Sequence, residues 1–171
     1  MSLNRNKTCH PNCAHAALTF ILMCTLTLGA LYGCDDSKDN YLEGSVTAGY
    51  DMKFDDVRVV LYPESALSIE YVKKTKNGDQ LPLRVTIDYP EDTLTAGREY
   101  NLLTECSIVR GVDYASSPLP ALESGTVRLD EFTASDGSKV SGDFEAVFIE
   151  RDGAKINLRG GFSADIDRFE Q

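Results

Sequence analysis

From Glu43 onward, apolar residues alternate with polar ones in short runs broken by Gly, Asn and Asp, and no stretch keeps a helical period. A period of two sends successive side chains to opposite faces, so such a chain must build sheets with one buried face. Runs of this kind occupy residues 44–48, 57–62, 67–74, 83–89, 99–109, 125–132, 140–150 and 155–164. Only Pro63-Glu64-Ser65-Ala66 reads as a helical turn. Residues 116–122, with Pro118 and Pro120, read as the longest irregular crossover. The expected fold is all-β, an antiparallel β-sandwich or partly closed barrel of about eight short strands, forming one domain over residues 43–171.

Turn residues fix two registers. A two-residue Asn77-Gly78 turn would pair Tyr71 with Arg84 and put apolar residues on opposite faces. A three-residue loop, Lys76-Asn77-Gly78 with Gly78 at positive φ, pairs Tyr71 with Leu83 and Ile69 with Val85. One residue of shift flips a whole face, so the second register is expected. In the last hairpin, an Arg151-Asp152-Gly153 loop sets Phe148 against Ile156 and Ala146 against Leu158. Phe144 then meets Gly160 and Phe162 meets Gly142, and each ring supplies the packing its glycine lacks. Asp136-Gly137 joins this hairpin to the run at 125–132, giving a three-strand meander.

The front of the chain is of another kind. Arg5 and Lys7 precede an apolar run from about Ala16 to Leu31, and the sequence turns acidic at Asp35-Asp36. This is the layout of a secretory leader. Its end, Leu31-Tyr32-Gly33-Cys34, resembles the signal of bacterial lipoproteins, with Tyr32 departing from the usual small residue. The resemblance implies cleavage between Gly33 and Cys34 and a diacylglycerol and N-acyl lipid (palmitate being one such chain) on Cys34. Residues 1–33 are then a signal peptide and 34–42 an acidic, lipid-anchored tether. The absence of Asp or Glu before Asp35 leaves the leader's start inside and the domain outside. The alternatives are an uncleaved anchor, since residues 14–33 are long enough to span a bilayer, and an ordinary cleaved leader. Asp35 resembles an inner-membrane retention signal and the acidic run a surface-export signal, so sorting within the envelope stays open.

Removing the leader leaves 138 residues, a size suited to one core. The leader holds two of the 17 basic residues and none of the 27 acids, so the remainder carries a formal charge of −12. Such a surface disfavours nucleic acid, whose phosphates need basic patches. It also disfavours flat docking on anionic lipid, leaving membrane attachment to the acyl chains. Both histidines, His10 and His15, lie in the leader. Ser-His-Asp and Cys-His chemistry is therefore excluded from the mature domain, with His-ligated zinc and copper. Cys9, Cys13 and Cys24 leave with the leader. Cys106, in phase with Tyr100 and Leu102, reads as a buried structural thiol.

Carboxylates are the remaining chemistry. Asp55-Asp56, Glu91-Asp92, Asp130-Glu131 and Asp165-Ile166-Asp167 are clustered, but neighbours in a strand point to opposite faces and do not form a glycosidase pair. A calcium site would draw on Asp51, Asp55 and Asp56 in one connection, with Asp165 and Asp167 as distant candidates, although no EF-hand loop is present. Ser138-Lys139 sits in an expected turn, where a buried low-pKa lysine is not anticipated. Arg159-Gly160-Gly161-Phe162 reads as strand rather than a phosphate loop.

Gly125-Thr126-Val127, Val140-Ser141-Gly142-Asp143-Phe144 and Gly160-Gly161-Phe162 loosely resemble the C-terminal part of uncharacterised bacterial lipoproteins. That resemblance implies packing and no activity. The expectation is a non-enzymatic binding or structural module in the cell envelope, with no metal or catalytic residue and an unknown protein or glycan partner. A carboxylate-dependent, carbohydrate-directed hydrolase and an accessory subunit of an envelope complex are the alternatives.

Overall fold

Alternating side chains become nine strands of one nearly closed, barrel-like sheet in a computed structural model, which describes residues 40–168. These are β1 (Tyr41–Glu43), β2 (Asp56–Tyr62), β3 (Ala66–Thr75), β4 (Gly78–Ile87), β5 (Glu99–Asn101), β6 (Cys106–Val109), β7 (Ala121–Glu131), β8 (Lys139–Ile149) and β9 (Lys155–Arg168). Across the sheet the order is β5-β7-β8-β9-β2-β3-β4-β6, with β1 added to β9. The all-β expectation holds, with one strand more and several strands longer than anticipated. One seam is parallel: Val59 lies opposite Ile166 and Leu61 opposite Arg168. There β9 leaves β8 and crosses to β2, joining the two halves of the sheet.

Both registers stand. Phe148 faces Ile156, Ala146 faces Leu158, Phe144 faces Gly160 and Gly142 faces Phe162, with no shift along the β8–β9 ladder. A methyl group on Gly160 would strike the Phe144 ring, and one on Gly142 would strike Phe162 Cζ at 2.6 Å, so the rings do lie on the glycines. Tyr71 pairs with Leu83 and Ile69 with Val85, but by another route. Thr75 pairs with Gly78 across only Lys76 and Asn77, and the extra residue sits further down, where Leu81 and Pro82 oppose Val72. Proline has no N–H to give a ladder, so the bulge falls where its loss costs least.

Four local expectations are corrected. Residues 44–48 are not a strand: β1 ends earlier, at Glu43, and Gly44 takes φ 123°, open to glycine but rarely to other residues. A single helical turn, α1 (Val46–Gly49), follows, docked by Ser45 N–H and Oγ donating to Asn157 Oδ1 at 3.0 and 2.8 Å. Pro63, Glu64 and Ser65 make a turn and Ala66 begins β3, so the helical turn lies elsewhere. Residues 99–109 break into β5 and β6 because Asn101 turns the chain. Its Oδ1 accepts Leu103 N–H at 2.8 Å and its carbonyl accepts Glu105 N–H at 2.8 Å. β4 and β7 start early, at Gly78 and Ala121, which shortens the crossover at 116–122.

The β domain also begins a little earlier than residue 43. Tyr41 and Leu42 pair with Gly161 and Gly160, so these two residues, expected before the domain, belong to the sheet. The leader, Gly33 and Cys34 lie outside the described residues. Among the described residues no helix is long and apolar enough to cross a membrane.

Tyr71, Tyr100, Phe144, Phe148 and Phe162 are buried in the interior among Val, Leu and Ile from the strands. Tyr71 meets Phe144 edge-on at 6.2 Å and donates its hydroxyl to Gly161 O at 2.9 Å, which satisfies a group costly to bury alone. Strand directions set two ends. Residues 44–55, 76–77, 110–120 and 150–154 gather at one, the loop pole. The chain enters nearer the other, the entry pole, where residues 63–65, 88–98, 132–138 and the end of β9 meet. Glu91 N–H bonds Pro63 O, and Gly137 N–H bonds Ile166 O.

Candidate functional site

Arg110, the residue after β6, organises the loop pole. Its Nη1 donates to Ser117 O and its Nη2 to Asp51 O, each at 2.9 Å, while Nε reaches Pro82 O at 3.4 Å. The guanidinium lies over the Tyr114 ring at 3.9 Å and near that of Tyr50 at 5.6 Å. Burial draws its pKa below the usual arginine value, against the pull of Tyr114 and Asp51, and it remains a cation. One side chain thus joins three distant segments.

Two open grooves flank it. One, of about 860 Å³, runs between Tyr50, Ser116, Pro118, Pro120, Ile149 and Arg151. The other, of about 460 Å³, is mostly apolar and lies where β6 and β7 fail to pair, between Leu102, Ile108, Tyr114, Leu119, Leu122 and Phe148. Such lining offers apolar contact and a few polar groups, the composition common to ligand-binding surfaces. Sequence patterning does not single out Arg110, because its partners are backbone carbonyls at Pro82 and Asp51.

The three calcium candidates are turned to different partners. Asp51 Oδ2 accepts Lys73 Nζ at 2.7 Å, Asp56 Oδ2 accepts Lys74 Nζ at 2.9 Å, and Asp55 Oδ2 accepts the Lys74 backbone N–H at 2.8 Å. The hydrogen bond from Lys73, then that from Lys53 N–H, holds Asp51 below the ordinary aspartate range, and the bond from Lys74 does the same for Asp56. Among the described residues no group of three or more His, Cys, Asp or Glu is placed to hold a metal ion. Asp165 pairs with Lys139 and Asp167 with Val60, on strands away from the 51–56 loop.

The remaining acids are also dispersed. Glu91 pairs with Arg168 at 2.9 Å, Asp130 with Arg128 at 3.3 Å, and Glu131 accepts Ser141 Oγ at 3.3 Å. Ser138 shares a short hydroxyl contact with Ser135, and Lys139 opens β8 in the open. Arg159-Gly160-Gly161-Phe162 lies inside β9, as expected.

Two carboxylate hubs escaped the sequence reading. Glu70, only 5 % exposed on the outward side of β3, accepts Arg58 Nε and Nη2 at 2.9 and 2.7 Å, with Arg84 at 3.9 Å. Glu105 closes the corner between β5 and β6, accepting Asn101 N–H at 2.7 Å, Tyr89 Oη at 3.0 Å and Arg98 Nη2 at 2.6 Å. Arg98 stacks between Tyr89 and Tyr100 at 5.0 and 4.6 Å. The Asn101 N–H and then the Tyr89 hydroxyl hold Glu105 below the ordinary glutamate range. Next to it, burial pushes the Cys106 thiol up to about 12, which suits an unreactive thiol. Cys106 is half-buried at the head of β6, not in one strand with Tyr100. Comparison with family models, curated proteins and solved structures returns no match to the chain.

Proposed function

We propose that this chain is an exported, lipid-anchored protein of the bacterial cell envelope whose β domain is a non-enzymatic binding or structural module. One observation carries the reading: Leu31-Tyr32-Gly33-Cys34 ends an apolar run that starts behind Arg5 and Lys7 and stops at Asp35-Asp36. Cleavage after Gly33 makes Cys34 the N-terminus, and a diacylglycerol with an N-acyl chain holds where one acyl chain alone would bind marginally. The lack of histidine beyond His15 supports the non-enzymatic part. So do the cations on Asp51, Asp56, Glu70 and Glu105, which occupy carboxylates that chemistry would need free. The loop pole, with its two grooves, is the face offered to a protein or glycan partner.

Metabolic labelling with a clickable fatty acid tests the anchor. The wild type takes the label and Cys34→Ala does not, and the labelled protein begins at Cys34. Equal labelling of both, or recovery of an N-terminus before Cys34, overturns the reading.

A further inference from the structure

The two poles carry unlike charge. At the entry pole, Glu64 and residues 88–99, 130–139 and 165–168 supply ten carboxylates against Arg98, Lys139 and Arg168. At the loop pole, residues 44–56, 73–79, 110–123 and 150–155 supply eight carboxylates against seven Lys and Arg. The acidity of the domain is thus concentrated where the chain comes in. The point of entry is itself fixed: Asn40 Nδ2 donates to Ser163 O at 3.3 Å, and Asn40 Oδ1 accepts Ser163 N–H at 2.6 Å.

We infer that the entry pole faces the bilayer at a stand-off and the loop pole points away from it, a step that rests on lipidation at Cys34. Two magnitudes decide this. Six residue steps lead from Cys34 to Asn40, and a chain of that length spans at most ~20–22 Å. From Ser163, the partner of Asn40, to Gly153 is ten residue steps, eight along β9 and two into the turn, ~33 Å of extended chain or ~25 Å along the axis of a sheet tilted as in barrels. The tether is too short for the loop pole to be turned onto the membrane. Charge then sets the distance. A pole with ten carboxylates against three cations is repelled by anionic headgroups over about 8–10 Å, the reach of screening at physiological salt, so the domain stands off the surface. The grooves beside Arg110 are left on the far side, open to a partner.

The test uses the full chain, processed and lipidated in cells, in a Cys106→Ser background. A fluorophore is placed on Ala96→Cys at the entry pole or Ala154→Cys at the loop pole, both exposed positions. The proteins are reconstituted in phosphatidylglycerol–phosphatidylethanolamine vesicles carrying a headgroup quencher. Quenching is expected at position 96 and lost at position 154, and it deepens at 96 as salt rises. Equal or greater quenching at 154, or no salt response at 96, overturns the orientation while the anchor stands. A Cys34→Ala chain should stay in solution; if it binds the vesicles as the wild type does, the anchor reading fails and the orientation with it.

Discussion

Two three-strand meanders line the same core and keep their registers differently. In β7–β8–β9, the β8–β9 ladder runs unshifted because Phe144 lies on Gly160 and Phe162 on Gly142. In β2–β3–β4, the β3–β4 ladder slips once, at Leu81-Pro82, and its middle strand buries Glu70 on the outward face. A register set by ring volume against bare backbone allows no slip, since any shift would drive a ring into a side chain. A register set by a turn and a proline can move its extra residue along the strand. The β8–β9 solution is fixed and apolar, while β7 on the other side of β8 slips twice against it, at Glu123 and at Asp130, where no such ring-on-glycine pair holds it. The β3–β4 solution is adjustable and leans on charge.

The largest expected effect lies in the β8–β9 hairpin. Phe144→Ala or Phe162→Ala should each cost about 3–5 kcal/mol in denaturant unfolding of residues 35–171, the range for emptying an aromatic core site. Losses below about 1 kcal/mol for both would show that ring volume does not hold this register. The adjustable meander should lose less from its own signature residue. Glu70→Ala removes the acceptor of Arg58, but Arg58 and Arg84 are half-exposed and can rehydrate, so about 1–2 kcal/mol is expected. Glu70→Leu with Arg58→Met should return to within about 1 kcal/mol of wild type, because apolar residues often replace an ion pair without loss. A double-mutant cycle with no coupling between Arg58 and Glu70 would erase the contrast between the meanders.

What could be read from sequence follows the same division. The β8–β9 register was legible because Phe144, Phe162, both glycines and the turn at Gly153 fall within one local hairpin. The β3–β4 register expected from a three-residue loop holds at Tyr71 and Ile69 although the extra residue lies at Leu81-Pro82, since facial alternation constrains the outcome and not the route. The helical turn after Gly44 was illegible, because Asn157, 112 positions away, decides it. Arg110 was illegible for the same reason, its carbonyl at Asp51 lying 59 positions back. The break at Asn101 was a local signal, an Asn able to cap its own turn, outweighed by the alternation around it. Of the candidate site residues, Asp51 and Asp55 do share one connection, and Asp56 follows as the first residue of β2. Their lysine partners on β3 belong to tertiary structure.

A smaller effect is expected where the two meanders meet. Glu105 ties β5, which pairs with β7, to β6, which pairs with β4. Its pKa is held down in the folded domain by Asn101 N–H first and the Tyr89 hydroxyl next. A depressed carboxylate pKa stabilises the fold above its unfolded value and ceases to do so as pH falls through the folded one. The melting temperature should therefore drop as pH is lowered from about 4.3 downward, less steeply in Glu105→Gln than in wild type. Parallel acid slopes would show that the corner is held by backbone alone. Asp51 and Asp56 contribute slopes of the same sign, so the comparison is made between variants and not against a flat line.

The smallest effect should come from calcium, and it probes how far the adjustable meander depends on its charges. Asp51 and Asp56 are bound to Lys73 and Lys74 on β3, and Asp55 receives the Lys74 backbone N–H. To ligate one ion together, they would have to release both ammonium groups and reorient from three separate partners. Calcium favours six to eight oxygens, and three aspartates supply only part of that shell. Melting of residues 35–171 with and without calcium is expected to show no shift beyond that of an equal ionic strength of sodium chloride. A true site filled at about 100 times its Kd would instead add about 2.7 kcal/mol. If a rise of several degrees appears and vanishes in Asp55→Asn, the lysine pairs are a resting arrangement that an ion displaces. The acidic loop would then be a binding site, and the β2–β3–β4 meander would owe part of its stability to a ligand rather than to its own ion pairs.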